Sequence, residues 1–385
     1  KRMHRETRAA LDVLGIQIQT DRLIHGLSIA QQQMLEIARA INENAKILIM
    51  DEPTASLTNH EVDELFTQIL KEKNVAIIYI SHRMEETFRV CDTVTVLRDG
   101  QFIGTKDTKE TNEKELISMM VGREFESMYG NTVVSGGETI MEVSRLTSDL
   151  VKDISFELKK GEILGFSGLV GAGRTEMVRA LFGIDKILSG TVTIEGKQVS
   201  IHAPSDAIRA GIALVPEDRK GQGLFLEHSI STNLTFQVLD QFIRHLRVNG
   251  KKERAIIQEY KDKLSIRMAG VEQKAGELSG GNQQKIVISK WLAAHPKVLI
   301  LDEPTRGIDV GAKAEIYDLM RALTKEGVSI IMISSELPEI LNNSSRIAVM
   351  SEGRLVKILD PAKDEISQEI IMSYAVEGGT KNHAQ

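Results

Sequence analysis

Asp-Glu-Pro-Thr occurs twice in this chain, as Asp51-Glu52-Pro53-Thr54 and as Asp302-Glu303-Pro304-Thr305, 251 residues apart. Leu27-Ser28 and Leu278-Ser279 repeat that offset. Ile80-Ser81-His82 matches Ile333-Ser334-Ser335, and Arg98-Asp99-Gly100 matches Ser351-Glu352-Gly353, both 253 residues apart. A solenoid unit would recur every 20–50 residues or so. An offset this long is one whole domain written twice, and the differences between the copies carry most of the information.

Bulk properties narrow the function classes. The chain has 385 residues, 42% of them apolar, enough for two packed cores. A net charge of −6 argues against a nucleic-acid binder held by a large basic face. Cys91 is the only cysteine, which excludes a disulfide framework and a cysteine zinc site and fits a reducing compartment. Apolar runs such as 328–334 are far shorter than the roughly 20 residues a membrane-spanning helix needs.

The pattern alternates strands and helices, the mark of an α/β fold around a mostly parallel sheet. Residues 1–41 read as helical, with one amphipathic segment over 3–14 and a second over 29–41. Residues 46–50 and 75–80 read as buried parallel strands, with a helix over 61–71 between them. Asp99-Gly100 predicts a hairpin between 93–97 and 101–104, and 113–120 a closing helix. Periodicity fades over 122–138, the expected linker, so the domains are read as 1–121 and 139–385. In the second domain strands are expected at 140–143, 154–158 and 163–166 and a helix at 175–182. Residues 221–273 have charged helical character without a motif, and the tail from Glu377 reads as frayed.

Gly168-Leu169-Val170-Gly171-Ala172-Gly173-Arg174-Thr175 has the spacing of a phosphate-binding loop, with Arg174 in place of the usual lysine. Glycines let backbone N–H groups wrap a phosphate at a helix N-terminus, and the threonine hydroxyl can ligate Mg²⁺. Each Asp-Glu-Pro-Thr follows an apolar strand, where the aspartate (Asp51, Asp302) would hold Mg²⁺ and the glutamate (Glu52, Glu303) would polarise the attacking water. The first copy's phosphate loop, shifted by 251 residues, would fall at position −83. The expectation is a chain that starts inside its first domain, with that loop missing and little ATPase activity of its own.

Leu278-Ser279-Gly280-Gly281-Asn282-Gln283-Gln284 opens a helix 24 residues before Asp302. Together with the phosphate loop and the Asp-Glu-Pro-Thr strands it resembles the ATP-binding cassette family over essentially the whole chain. The resemblance implies two tandem P-loop domains with a mostly parallel sheet core and antiparallel and helical subdomains, the first incomplete. It also implies ATP with Mg²⁺, sandwiched between the phosphate loop of one domain and the Leu-Ser-Gly-Gly turn of the other.

The copies differ. Ile29 and Ala30 stand where the second copy has Gly280 and Gly281, and His82, the family's switch histidine, is Ser335 in the second copy. The resemblance sorts these differences into two sites. The competent one would use Asp51, Glu52 and His82 with Ser279, Gly280, Gly281 and Asn282. The degenerate one would use Gly168, Gly171, Gly173, Arg174, Thr175, Asp302, Glu303 and Ser335 with Ser28. Glu217 lies where the family has a Mg²⁺-contacting glutamine. Gly168–Thr175, Pro216-Glu217-Asp218-Arg219, Glu303–Asp309 and Ser334-Ser335-Glu336 are close to the duplicated ATP-binding subunits of bacterial carbohydrate importers of the ribose, galactoside and xylose kind. That likeness implies a peripheral subunit on the cytoplasmic face of the inner membrane. Its partners would be two permease subunits and, through them, a periplasmic sugar-binding protein, with no nucleic acid. A soluble tandem cassette acting on ribosomes or DNA is disfavoured by the short linker and acidic balance. A non-catalytic binding module is disfavoured because Asp51, Glu52 and His82 stay together.

Overall fold

The computed structural model describes residues 2–12, 18–42, 45–51, 76–81, 84–98, 100–121, 137–244 and 247–380. The chain divides into two compact units, Lys1–Gly122 and Arg123–Gln385.

In the first unit, helices α1 (Arg2–Asp12) and α2 (Ile29–Asn42) correspond to the two expected helical segments over 3–14 and 29–41, with a 3₁₀ turn at Ile24–Gly26 between them. Strands β1 (Ile47–Asp51) and β2 (Ala76–Ile80) pair in parallel, with Asp51 opposite Ile80. Leu48 and Met50 pack into a core with Leu11, Ile18, Leu27, Ile37 and Ala38. The expectation that both strands are buried holds for one face only. Ile47 and Ile49 on β1, and Ile78 and Ile80 on β2, are exposed, because alternate residues of a pleated strand point to opposite faces and α2 covers just one of them. Helix α3 (Met84–Val90), the antiparallel hairpin β3 (Thr93–Arg98) and β4 (Gln101–Asp107), and α4 (Glu113–Val121) complete the described part. The helix expected over 61–71 and most of the expected linker lie outside the described residues.

Among the described residues the second unit has two larger sheets and one two-stranded hairpin. β5 (Thr139–Thr147), β6 (Ile154–Lys159), β8 (Ser189–Ile194) and β9 (Lys197–Val199) form an antiparallel sheet in the order β6-β5-β8-β9. The main sheet runs β10 (Ile212–Val215), β13 (Val298–Asp302), β14 (Ser329–Ile333), β7 (Ile163–Gly168), β15 (Arg346–Ser351), β16 (Arg354–Leu359). Its first five strands are parallel and only β16 is antiparallel. Every residue of β10, β13 and β14 is buried, as a parallel sheet covered on both faces requires, so these strands are apolar runs save for Asp302 at the end of β13 and Ser329 at the start of β14. Helices α5 (Arg174–Leu181), α6 (Pro204–Ala210), α11 (Val310–Lys325), α12 (Leu337–Asn343) and α13 (Gln368–Thr380) belong to this body. The tail expected to fray from Glu377 is helical to Thr380.

Between β10 and β13 lie α7 (Ile230–Thr235), α8 (Leu239–Phe242), a two-residue hairpin β11 (Ile243–Arg244) and β12 (Arg247–Val248), α9 (Gly250–Lys263) and α10 (Gly280–Leu292). The hairpin was not anticipated; two residues per strand are too few to show a period. Register fixes the site. Asp302 stands opposite Ile333, and Ile333 opposite Phe166, so the carboxyl ends of β13, β14 and β7 lie side by side. In open α/β sheets that edge is where ligands bind.

Candidate functional site

β7 ends at Gly168, and the next turn carries the chain into α5. Gly171 has φ +82 and a Cβ there would meet nothing within 4 Å, so the loop is both left-handed and open on that side. Gly173, φ +92, caps α5, and a Cβ would lie 2.9 Å from the Gly353 Cα. Glycine is required at the first position by conformation and at the second also by space. Arg174, nine-tenths buried, does not point into the loop opening. Its Nη1 donates to the Ser334 carbonyl at 2.7 Å, and its Nη2 is 4.0 Å from Glu303 Oε1.

The Thr175 hydroxyl lies beside the carboxyl of Asp302, which is 2% exposed. Burial pushes the Asp302 carboxyl up to about 6, and the neighbouring Thr175 hydroxyl opposes part of that rise. Asp302 Oδ1 has no hydrogen-bond partner among the described residues. A buried carboxylate oxygen without a donor, beside a threonine hydroxyl, is an oxygen set suited to a hard divalent cation. The residues present therefore fit Mg²⁺.

Glu303 follows in a left-handed conformation, φ +48, with its N–H donating to the Ile333 carbonyl at 2.9 Å. A non-glycine residue held there stores strain, and such strain concentrates at working sites. Its Oε2 accepts the Ser335 hydroxyl at 3.1 Å. Beneath them, Glu339 on α12 takes the Thr305 hydroxyl at 2.9 Å and the Ser334 hydroxyl in a short bond. The two loops leaving β13 and β14 thus share one buried carboxyl. Reading motifs had not picked out Glu339. The repeat held the signal: Glu86 lies 253 residues earlier, and it too is buried, with Tyr79 donating to it at 2.6 Å.

A second cluster surrounds the start of α10. Ser279 is exposed and caps the helix; its Oγ accepts from Asn282 Nδ2 at 3.0 Å, and Asn282 Oδ1 accepts the Arg267 N–H at 2.9 Å. Gly280 and Gly281 are packed closely: a Cβ on Gly281 would sit 2.5 Å from Ala312 Cβ. Glu217 ends the segment after β10 in an ion pair with Arg306, which leads out of the Asp302–Thr305 turn. The loop 303–307 joins this cluster to the first.

In the first unit, Ser28 accepts the Gln31 N–H at 3.2 Å, and Gln31 Oε1 accepts the Ser28 N–H at 3.1 Å. That reciprocal pair is a capping box, and it commits the serine to its own helix. Asp51 ends β1 and is exposed. Glu52 and His82 lie outside the described residues.

The ABC transporter family matches residues 2–55 and 151–306. The ribose import ATP-binding protein RbsA of Lactococcus lactis subsp. lactis is 50% identical over 380 residues, which span 98% of this chain and 77% of that protein. Its namesake in Lacticaseibacillus paracasei is 49% identical over 387 residues, spanning 100% of this chain and 77% of that one. Among solved structures, an ATP-binding cassette of an ABC transporter is similar with a TM-score of 0.53 at 21% identity, covering 62% of this chain and 98% of its own. CbiO1 from Clostridium perfringens, part of the ABC transporter complex cbiONQ, is similar with a TM-score of 0.51 at 22% identity, covering 64% and 96%. At such identities the structures speak for the fold alone. Among the described residues no helix is long and apolar enough to cross a membrane.

Proposed function

The chain belongs to the ABC transporter family, and from that premise we propose that it is the ATP-hydrolysing subunit that energises import of a monosaccharide of the ribose, galactoside or xylose class. The observation that carries this reading is half-identity, across nearly the whole chain, to proteins named for ribose import. The geometry supports it from below. In the second unit the amides of 171–175 hold the ATP phosphates, Arg174 reaches them only by leaving the Ser334 carbonyl, and Thr175 and Asp302 hold Mg²⁺. When bound, that ion neutralises charge on the phosphate oxygens. Glu303, fixed by its backbone and by Ser335, is placed to orient a water. Glu217 reaches the nucleotide only by leaving Arg306.

Two ATP sites of unequal strength follow in this reading. Asp51, Glu52 and His82 serve the stronger, with Ser279, Gly280, Gly281 and Asn282 as its signature turn. The weaker relies on Glu303 and Ser335, and on Ser28, whose hydroxyl is committed to a capping box. The subunit works from the cytoplasmic face of the membrane on two permease subunits supplied by a periplasmic sugar-binding protein. Closure around ATP would shift the permease between its two facings, and hydrolysis would reset it.

The test is a pair of substitutions in the assembled transporter. Glu52→Gln should lower sugar-stimulated ATP turnover by about 100-fold or more, whereas Glu303→Gln should change it by only a few-fold. Equal losses would remove the asymmetry, and recovery of the protein from membranes with no permease partner would remove the transporter reading.

A further inference from the structure

One side chain joins three segments that the motifs treat separately. Arg219 opens the turn Arg219–Gly223 just after β10. The turn is fixed at its start by Asp218, whose Oδ1 accepts the N–H groups of Lys220 at 3.1 Å and Gly221 at 2.9 Å. At its end, Lys290 of α10 donates to the Gly223 carbonyl at 2.5 Å. From this anchored base Arg219 Nη1 donates to the Arg306 carbonyl at 2.6 Å and Nη2 to the Gly307 carbonyl at 2.9 Å. Its Nε faces Gln283 Oε1 on α10 at 3.5 Å. The first residue of α10 rests on the same group: a Cβ on Gly280 would be 2.9 Å from Arg219 Nη2 and 3.0 Å from the Gly307 carbonyl.

All three guanidinium nitrogens thus donate to or face neutral acceptors. Burial lowers the tendency of the group to carry its charge, and the neighbouring Asp218 carboxylate offsets part of that. Asp218 spends its own hydrogen bonds on the Lys220 and Gly221 N–H groups, so the fork is left to grip backbone. The rigid planar fork does something a lysine cannot, spanning two successive carbonyls while presenting its flat edge to a glycine. The loop it grips, 306–307, is continuous with Asp302 and Glu303, and the helix it supports begins at Ser279.

We infer that Arg219 is a positioning residue for ATP turnover, locking the start of α10 to the loop that follows the Asp302-Glu303 acids so that the two move as one body. This deepens the ATPase reading above and rests on it. Arg219 touches neither nucleotide nor metal in this scheme. Its loss should therefore leave ATP affinity intact and slow the step that needs the Ser279–Gly281 turn in register.

The experiment uses the complete importer reconstituted in liposomes, with sugar and binding protein. Arg219→Ala should lower kcat for sugar-stimulated ATP hydrolysis by about tenfold or more while KM for ATP stays within about twofold, the signature of lost positioning rather than lost binding. The unfolding temperature should move by no more than about 4–8 °C, the equivalent of the two carbonyl hydrogen bonds lost. Arg219→Lys, which keeps the charge but can reach only one carbonyl, should fall between wild type and Arg219→Ala. Unchanged kcat in Arg219→Ala, a parallel collapse of kcat, affinity and stability, or full activity in Arg219→Lys would each overturn the inference. A wild-type assembly without ATP turnover would instead defeat the functional reading, and this inference with it.

Discussion

Glu339 has 2% of its surface exposed, and both its oxygens accept hydroxyl protons, from Thr305 and Ser334. Burial pushes its carboxyl up to about 7 from an ordinary 4.5, while the two hydroxyl bonds pull the other way. The folded state therefore holds this proton more tightly than the unfolded chain does. Stability from this group is complete below about pH 4.5, falls as pH rises to about 7, and is level above that. Asp302, raised to about 6, contributes with the same sign in an overlapping window, so the informative quantity is a difference between variants. Glu339→Gln lacks the titration. Between pH 5 and pH 8, wild type should lose on the order of 2 kcal/mol more unfolding free energy than Glu339→Gln, read from urea melts. Parallel pH profiles would mean that the carboxyl is already ionised at pH 5. Sequence alone hid this residue because a glutamate on a short helix after a strand reads as solvent-facing. Only the match to Glu86 at the repeat offset marks the position, and burial of the charge follows from packing that no local pattern records.

Elements were legible where their signal is local. The apolar runs of β13 and β14, the glycine loop opening α5 and the Ser279 start of α10 are short stretches whose composition or punctuation decides their structure. The exposed faces of β1 and β2 were not legible, because an apolar run of five cannot reveal whether one face or two will be covered. Nor was the crossing of α10 over α11, where Gly281 stands against Ala312. That contact makes a prediction at the scale of two helices. Gly281→Ala puts a methyl 2.5 Å from Ala312 Cβ, so the helices must part, at about 1–3 kcal/mol. Ala312→Gly alone should cost about 1 kcal/mol through helix propensity. Combined, the two should be milder than their sum by at least 0.5 kcal/mol or so, because the second removes the atom the first strikes. Simple additivity in chemical denaturation would show that the helices are not in contact where the structure places them.

At the scale of the molecule, the two copies differ in how much of their chemistry can be built from neighbours. The second unit contains its own six-stranded sheet, its phosphate loop and the Thr175–Asp302 pair, and these groups meet because β7 and β13 each pair with β14 in register. This is why its site could be read from spaced motifs, while the role of Glu52 and His82 rests on the repeat and the family likeness. It follows that residues 137–385 expressed alone should fold with a single cooperative transition and bind ATP with Mg²⁺. At about 100 times the dissociation constant, binding should raise the unfolding temperature by roughly 5–10 °C. Asp302→Ala should abolish the part of that shift that depends on Mg²⁺, since it removes the one carboxylate at the loop with an unpartnered buried oxygen among the described residues. Turnover by this half should stay low, because the stronger acids, Asp51 and Glu52, are left behind. If the isolated half gave a broad, noncooperative melt, or a shift indifferent to both Mg²⁺ and Asp302, nucleotide binding in this unit would not be the self-contained property its sheet register implies.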